Sequence, residues 1–233
     1  ESSHEGGAHA PPAVAYVHSF LSVERGRESR LHTGYHVCMR RSVEDAERTR
    51  LSLCEAALMA FEAKGWRGAT FEAISERAGV TRGALHHHFH DKATLLRDAL
   101  AWGWDEYADR VFPTDPAQGV STGLSSLLSE CMRLLSVDPL FRALAFSTVL
   151  VAPQAFDDAS EKAAGLDDWH VRLTELIATD ASATSMLPPA QTAGLVLVLL
   201  QGLTVTAVTR PQDLPQPSHR ESAVATLVRG LLS

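Results

Sequence analysis

The stretch of residues 70–89 constrains the fold more than any other part of the chain. Two short segments with helical apolar spacing are each preceded by a threonine, Thr70 and Thr81, and Gly79 lies between them. Threonine hydroxyls cap helix amino-termini, and glycine adopts the left-handed conformation with which many helices end. The pattern predicts two short helices joined by a tight turn, followed at once by a third helix that Asp91 caps.

The second of these short helices is predicted to turn an unusual set of residues towards solvent. Leu85 and Phe89 are four positions apart, so they face the core together. The residues left on the outer face are an arginine, two small residues and two imidazoles: Arg82, Gly83, Ala84, His86 and His87. Small side chains let a helix lie close to base edges in the DNA major groove, and neighbouring arginine and histidine side chains can donate hydrogen bonds to those edges. We therefore predict that this face contacts DNA.

Residues 42–100 resemble the DNA-binding domain of the TetR family of transcriptional regulators. The residues that carry the resemblance are Ala57, Phe61, Gly65, Thr70, Ile74, Ala78, Gly79, Val80, Thr81, Gly83, Leu85, His88, Phe89 and Lys92. Together with the exposed face, the resemblance implies a set of DNA-binding residues: Thr70, Thr81, Arg82, Gly83, Ala84, His86, His87, His88 and Lys92. We expect double-stranded DNA with a near-palindromic operator as the partner, and phosphate as the group that Lys92 contacts.

One departure from the family pattern concerns His86. Members of the family usually carry a tyrosine there, and its ring contacts the DNA backbone. An imidazole can still donate a hydrogen bond, but its charge changes near neutral pH. Since the ordinary histidine pKa is about 6.5, we predict that DNA affinity rises as the pH falls from about 8 to 6.

The histidines at positions 86, 87, 88 and 90 allow a second interpretation, a metal site. His86 and His90 are one helical turn apart, as some metal ligands are. The nearest acidic residue, Asp91, is required as a helix cap, and the helix is predicted to end near Phe89. We therefore favour DNA contacts and predict neither a metal nor a cofactor.

Apolar periodicity predicts helices through the rest of the chain and no strands, so the fold class is all-α. The first long helix is predicted to begin at a capping box, Ser42 to Asp45, and to end at Lys64 before Gly65. The other predicted helices cover residues 92–112, 124–135, 139–153, 157–177, 189–208 and 218–232.

These helices predict three regions. Residues 1–41 are interpreted as a disordered extension or a translated upstream segment, and we place the natural start at Met39. Residues 42–91 form a three-helix, helix-turn-helix DNA-binding domain, and residues 92–233 a helical regulatory and dimerisation domain. The charge follows this division, because residues 40–97 carry a net charge of +2 and residues 98–233 one of −8.

The composition favours a cytoplasmic protein. The chain has 3 cysteines and no C-x-x-C pair, and no charged start followed by an apolar run indicates a signal peptide. Residues 186–209 contain no charged side chain, which raises a membrane-spanning interpretation. Pro188, Pro189, Gln191 and Gln201 interrupt the apolar run, so we expect a helix buried on most sides and no membrane partner.

The resemblance also implies what the second domain does. Family members usually bind a small ligand there, and the last two helices pair with their copies in a homodimer. The candidate lining residues for an amphipathic effector are Trp104, Phe141, Arg142, Phe146, Trp169 and His170. For Phe141 and Phe146, ordinary core packing is the favoured alternative.

Three functional interpretations remain open at this stage. Drug-efflux regulators of the AcrR type share the sequence Thr81-Arg82-Gly83-Ala84, so a repressor of a multidrug efflux gene is the leading one. The alternatives are a repressor that responds to no ligand and a regulator of a metabolic or secondary-metabolite gene. An enzyme is not predicted, because the chain has neither a glycine-rich phosphate loop nor an H-E-x-x-H pair.

Overall fold

The computed structural model describes residues 33–112, 119–178 and 187–232, with side chains from residue 43 onwards. Within these ranges the chain is helical and contains no strand, in agreement with the predicted fold class. The helices are α1 (Thr33–Gly68), α2 (Phe71–Ala78), α3 (Arg82–His88), α4 (Lys92–Val111), α5 (Val120–Val137), α6 (Pro139–Phe146), α7 (Ala152–Ala155), α8 (Ala159–Ala178), α9 (Pro189–Thr209) and α10 (Arg220–Leu232). Two compact units divide between Val43 and Glu44, and the candidate sites lie in the second.

The predicted start of the first long helix is wrong. Helix α1 begins at Thr33, so Ser42 lies inside it, and residues 33–41 are helical where a disordered extension was predicted. No proline separates Thr33 from Ser42, and the intervening methionine and arginines favour helix. Residues 1–32 of the predicted extension lie outside the described residues. The predicted break is confirmed at Gly65, whose φ of 66° places it in the left-handed region.

Helices α1 to α4 share an apolar core in the second unit. Phe61 from α1, Ile74 from α2, Leu85 from α3 and Leu95 from α4 are each fully buried. Cys54 is buried among them, and this burial raises the pKa of its thiol to about 12. The thiol is therefore neutral at ordinary pH, as expected of a core cysteine.

Asp138 organises the junction between α5 and α6. Its carboxylate accepts hydrogen bonds from the backbone N–H groups of Leu140 and Phe141, both at 3.1 Å, and from the Tyr107 hydroxyl at 2.8 Å. Pro139 occupies the first turn of α6, where its missing N–H costs nothing. Burial and then Asp138 raise the pKa of Tyr107. The junction is therefore tied to α4 as well as capped.

The helix predicted over residues 139–153 is interrupted. Helix α6 ends at Phe146, and a π-helical turn, Ser147–Val151, precedes the short helix α7. Pro153 has no N–H to donate to the carbonyl four residues earlier, so the regular α-helical pattern cannot continue through it. Pro153 instead lies in the first turn of α7, where a missing N–H is tolerated.

Helix α9 is long and apolar enough to cross a bilayer by length and composition alone, with a mean hydropathy of 1.8. The bent pair formed by α5 with residues 139–155 also passes that test when taken as one span. Helix α9 packs against α8, α5 and α6, but only 39% of its most apolar window is buried. The prediction of a helix buried on most sides is therefore wrong, because Leu195 and Val198 are exposed on one face.

Candidate nucleic-acid interface and internal cavity

Helices α2 and α3 have the predicted caps. The Thr70 hydroxyl accepts a hydrogen bond from the Ala73 N–H at 3.3 Å, and the Thr81 hydroxyl accepts one from the Ala84 N–H at 3.1 Å. Gly79 ends α2 with a φ of 69°, and the Val80 N–H donates to the Ser75 carbonyl at 3.0 Å. These local bonds fix the angle at which α3 leaves the turn.

The orientation of α3 places its outer face in solvent. Leu85 and Phe89 are buried beneath the helix. The exposed positions are Thr81, Arg82, Gly83, His86 and His87, and Ala84 and His88 are partly buried. A helix whose exposed side combines an arginine, a glycine and two imidazoles can approach a base pair closely and donate hydrogen bonds to it.

Arg82 is held in place on this surface by two neighbours. Its guanidinium forms an ion pair with the Glu72 carboxylate, and its Nε donates to His86 Nε2 at 3.4 Å. The His86 ring in turn packs edge-on against Phe71, with centroids 5.1 Å apart. The pKa of Glu72 is lowered, first by its own backbone N–H and then by Arg82. Since 61% of the Arg82 side chain is exposed, the group stays available to an outside partner.

Lys92 has contacts that the sequence did not predict. Its ammonium group donates to the carbonyls of Trp66 and Ala69, the latter at 3.1 Å, and lies 4.2 Å above the Trp66 ring. Burial lowers its pKa. Two of its three hydrogens are therefore used inside the protein, which joins the start of α4 to the end of α1. A phosphate contact remains a prediction for the third.

Ion pairs connect α1 to helices beyond the α2–α3 segment. Arg50 donates to Asp98 on α4 at 2.8 Å, and Arg142 on α6 donates to Glu62 at 2.6 Å. The second pair is the more buried, with 13% of the Glu62 side chain and 28% of the Arg142 side chain exposed. These ion pairs therefore couple the position of α1 to the positions of α4 and α6.

A partly open cavity lies between α4, α5, α6, α8 and α9, and the empty space within its walls is about 440 Å³ when the adjoining open solvent is included. Its lining residues are Trp104, Cys131, Leu135, Phe141, Ala145, Thr148, Val149, Leu166, Trp169, Leu197, Leu200, Gln201 and Thr204. Trp104 and Trp169 pack with ring centroids 4.9 Å apart, and Trp104 and Phe141 with centroids 5.9 Å apart. The cavity therefore has an aromatic wall and a largely apolar remainder.

Residues 53–99 match the family described as "Bacterial regulatory proteins, tetR family". This match covers 47 of the 233 residues. The regulator SrpR of Pseudomonas putida is 44% identical over 62 residues, which are 27% of this chain and 29% of SrpR. The chain thus matches well under two thirds of the length of such relatives.

Solved structures of transcriptional regulators share the fold over most of the chain. FadR from Bacillus subtilis in complex with stearoyl-CoA has a TM-score of 0.64 at 16% identity, covering 78% of this chain and 97% of FadR. SmeT, the repressor of the Stenotrophomonas maltophilia multidrug efflux pump SmeDEF, has a TM-score of 0.62 at 19% identity, covering 80% and 91%. At these identities the likeness concerns the fold alone.

Three of the six residues predicted for an effector pocket line the cavity, namely Trp104, Phe141 and Trp169. Arg142 does not line it, because it lies one position after Phe141 and is rotated by about 100° around the helix. Its guanidinium binds Glu62 instead. The other two predicted residues are outside the cavity lining for the same geometric reason.

Those two residues contact other parts of the protein. His170 follows Trp169, and its Nε2 lies 3.0 Å from the Ala190 carbonyl, which joins α8 to α9. Phe146 follows Ala145 and packs, partly buried, against the apolar core. Core packing was the favoured alternative for both Phe141 and Phe146, and the structure agrees, since Phe141 is buried in the core while it also lines the cavity.

Sequence reasoning missed the contribution of α9 to the cavity. Leu197, Leu200, Gln201 and Thr204 share one face of that helix, at the spacing of successive turns. The signal was present in the sequence, since Gln201 and Thr204 are polar positions in an otherwise apolar helix. It was interpreted only as evidence against a membrane span.

Two alternatives to DNA binding, a metal site and an enzyme active site, can be checked against the residues that the structure describes. These residues contain no group of three or more His, Cys, Asp or Glu side chains placed to hold a metal ion. Gly119 to Gly123 fits the G-x-S-x-G spacing of some hydrolases, which the sequence analysis overlooked. Ser121 lies in the first turn of α5, and no hydrogen bond described for the chain joins it to a histidine.

Proposed function

We propose that this chain is a TetR-family transcription regulator that binds a near-palindromic DNA operator as a cytoplasmic homodimer. The exposed face of α3 carries the proposal, because Arg82, Gly83 and His86 lie together on it above a buried Leu85. The caps at Thr70 and Thr81 hold this face rigidly, which a base-reading helix requires. Within the proposal, residues 42–91 bind DNA and residues 92–233 regulate that binding.

The homodimer is supported by the exposed face of α9. Gln191, Leu195, Val198 and Gly202 are exposed and recur at helical spacing, and 66% of Val198 is accessible. An apolar helix face that the described residues of its own chain leave uncovered is suited to a second copy. A two-fold dimer would present two α3 helices to successive major grooves.

The dimer has a direct test with a matched control. Val198→Asp places a charge on the exposed face of α9 and should convert the dimer to a monomer in sedimentation velocity. Val171 on α8 is similarly exposed, at 54%, and lies outside this face, so Val171→Asp should leave the dimer intact. A dimer that survives Val198→Asp would contradict this interface.

We further propose that a small ligand in the cavity releases the operator. Trp104 lines the cavity and belongs to α4, and α4 begins directly after the DNA-binding segment, at Lys92. A ligand that moves Trp104 would therefore move the end of α4 that carries the contacts to Trp66 and Ala69. Repression of a multidrug efflux gene, the role of SmeT, is the target that we propose for this chain.

Footprinting on DNA upstream of the chain's own gene and its neighbours tests the function. We expect protection of two half-sites on one face of the duplex, about one helical turn apart, and loss of protection when an effector is added. Protection that no compound relieves would favour a repressor without a ligand. Absence of any protected site at moderate salt would refute DNA recognition by α3.

A further inference from the structure

We propose that the cavity between α4 and α9 takes an uncharged, mainly apolar ligand with one hydroxyl or amide group, and that Gln201 binds this polar group. The inference deepens the ligand response proposed above, because it names the chemical class of the effector. It departs from the sequence prediction, in which Arg142 and His170 were expected to face the ligand.

The cavity lining contains no charged side chain that could pair with an ionic ligand. Among the lining residues there is no aspartate, glutamate, lysine, arginine or histidine. Burying an ionic group without a partner of opposite charge is strongly unfavourable, so an ion would have to leave its hydration shell uncompensated. The absence of such a partner along this lining therefore selects against both cations and anions.

Charged neighbours of the lining residues are engaged elsewhere. Glu130, next to Cys131, pairs with Arg133 at 2.7 Å, and Arg142, next to Phe141, pairs with Glu62 at 2.6 Å. Asp105 and Asp167 adjoin Trp104 and Leu166 but are exposed to solvent. None of these four groups could reach a buried ligand without losing its present partner or its hydration.

The polar side chains of the cavity differ in which of their hydrogen-bonding groups remain unused. Thr148 donates to the Leu144 carbonyl and accepts from the Trp104 Nε1–H, both at 3.0 Å. Thr204 donates to the Leu200 carbonyl at 2.9 Å. Both hydroxyls have therefore used their only hydrogen, and each can only accept.

Gln201 differs from both threonines. Gln201 lines the cavity, and no hydrogen bond from its side-chain amide to a described residue is present. The amide can donate and accept hydrogen bonds at the same time, and a ligand hydroxyl or amide can pair with both its N–H group and its carbonyl oxygen. The aromatic wall of Trp104, Phe141 and Trp169 then contacts the apolar body of the ligand.

Isothermal titration of the full chain with a matched series tests the charge class. Naphthaleneethanol, naphthaleneacetate and naphthaleneethylammonium share one ring system and differ in the charge of the end group. We expect the neutral alcohol to bind about tenfold or more tightly than either ion, since only the ions bury an unpaired charge. Binding of either ion as tightly as the alcohol would overturn the proposal, and so would failure of the alcohol to bind.

Variants at two glutamines test the assigned residue. Gln201→Leu keeps the side-chain size and removes the amide, so the affinity for naphthaleneethanol should fall about fivefold while that for ethylnaphthalene does not fall. Gln212→Leu is the control, because Gln212 is exposed in the short turn Pro211–Asp213 and does not line the cavity. An unchanged alcohol affinity in Gln201→Leu would overturn the role of Gln201.

The outcome is independent of DNA binding. Titration measures occupancy of the cavity directly, so it decides the ligand class even if footprinting finds no operator. Conversely, a chain that binds its operator but prefers an ion in the titration would retain the proposed function and lose only this inference. The melting temperature of Gln201→Leu, compared with that of Gln212→Leu, shows whether the fold is preserved in the variant.

Discussion

The proposed DNA-binding surface of α2 and α3 and the cavity between α4 and α9 are built in different ways. The surface comes from one continuous stretch, residues 70–89, and its caps join residues at most five positions apart. The cavity draws its lining from residues as distant as Trp104 and Thr204. A surface of the first kind is encoded locally, whereas the second exists only when five helices have packed.

The largest effect expected from this difference concerns the anchor of α3. Phe89 is 1% exposed and lies directly under the proposed DNA-binding face, so Phe89→Ala should lower the free energy of unfolding by about 3–5 kcal/mol. Its exposed neighbour gives the control, since His90→Ala should change it by less than about 0.5 kcal/mol. Denaturant unfolding measures both. A loss below about 1 kcal/mol for Phe89→Ala would show that α3 is anchored elsewhere.

The next effect separates binding from folding. Arg82→Ala should cost about 1–3 kcal/mol of operator affinity if the guanidinium donates to a guanine, while unfolding stays unchanged because the side chain is exposed. Arg172→Ala serves as the control, since Arg172 is an arginine on α8 paired with Asp168. Electrophoretic mobility shifts at fixed salt measure the affinities. Wild-type affinity in Arg82→Ala would mean that another face of the protein contacts DNA.

The same contrast explains what the sequence could predict. The two residues that flank helix α2 were predicted correctly, because Thr70 and Gly79 each determine their own end of the helix through bonds to adjacent turns. The start of α1 was not predicted, since a capping box is only a preference and the preceding residues also favour helix. The end of a helix is therefore predicted best where a glycine or a proline prevents the helix from continuing.

The cavity could be predicted only in part. Trp104, Phe141 and Trp169 were chosen because large aromatic residues are common in pockets, and they line it. Arg142 and Gln201 show why the rest failed. Which of two neighbouring residues faces a cavity depends on the rotation of the helix in the packed bundle, and no local bond reports that rotation.

An intermediate effect tests the connection between the two regions. The Glu62–Arg142 pair joins α1 to the helix that also carries Phe141, and it is largely buried. A double-mutant cycle with Glu62→Gln and Arg142→Met should give a coupling energy of about 1 kcal/mol in unfolding experiments.

The control pair for this cycle is Arg172 and Asp168, at 3.0 Å and about half exposed. Its cycle should give less than about 0.5 kcal/mol, because water screens an exposed pair. The Glu62 and Arg142 variants should also need more effector to release the operator. Equal coupling energies in the two cycles would mean that the Glu62–Arg142 pair couples α6 to α1 no more strongly than an exposed ion pair does.

The smallest effect concerns pH and belongs to the DNA-binding surface alone. His86 Nε2 accepts from Arg82 Nε, and Glu72 is the acidic group that faces them from α2, with His87 and His88 on the same helix. A proton on His86 removes that acceptor, frees the Arg82 Nε and adds a positive charge near the phosphates. Operator affinity should therefore rise about threefold as the pH falls from about 8 to 6. Binding assays of His86→Tyr should show this rise largely abolished, and His87→Gln should retain it. If His86→Tyr keeps the full pH dependence, another histidine carries it and the contact between Arg82 and His86 has no part in binding.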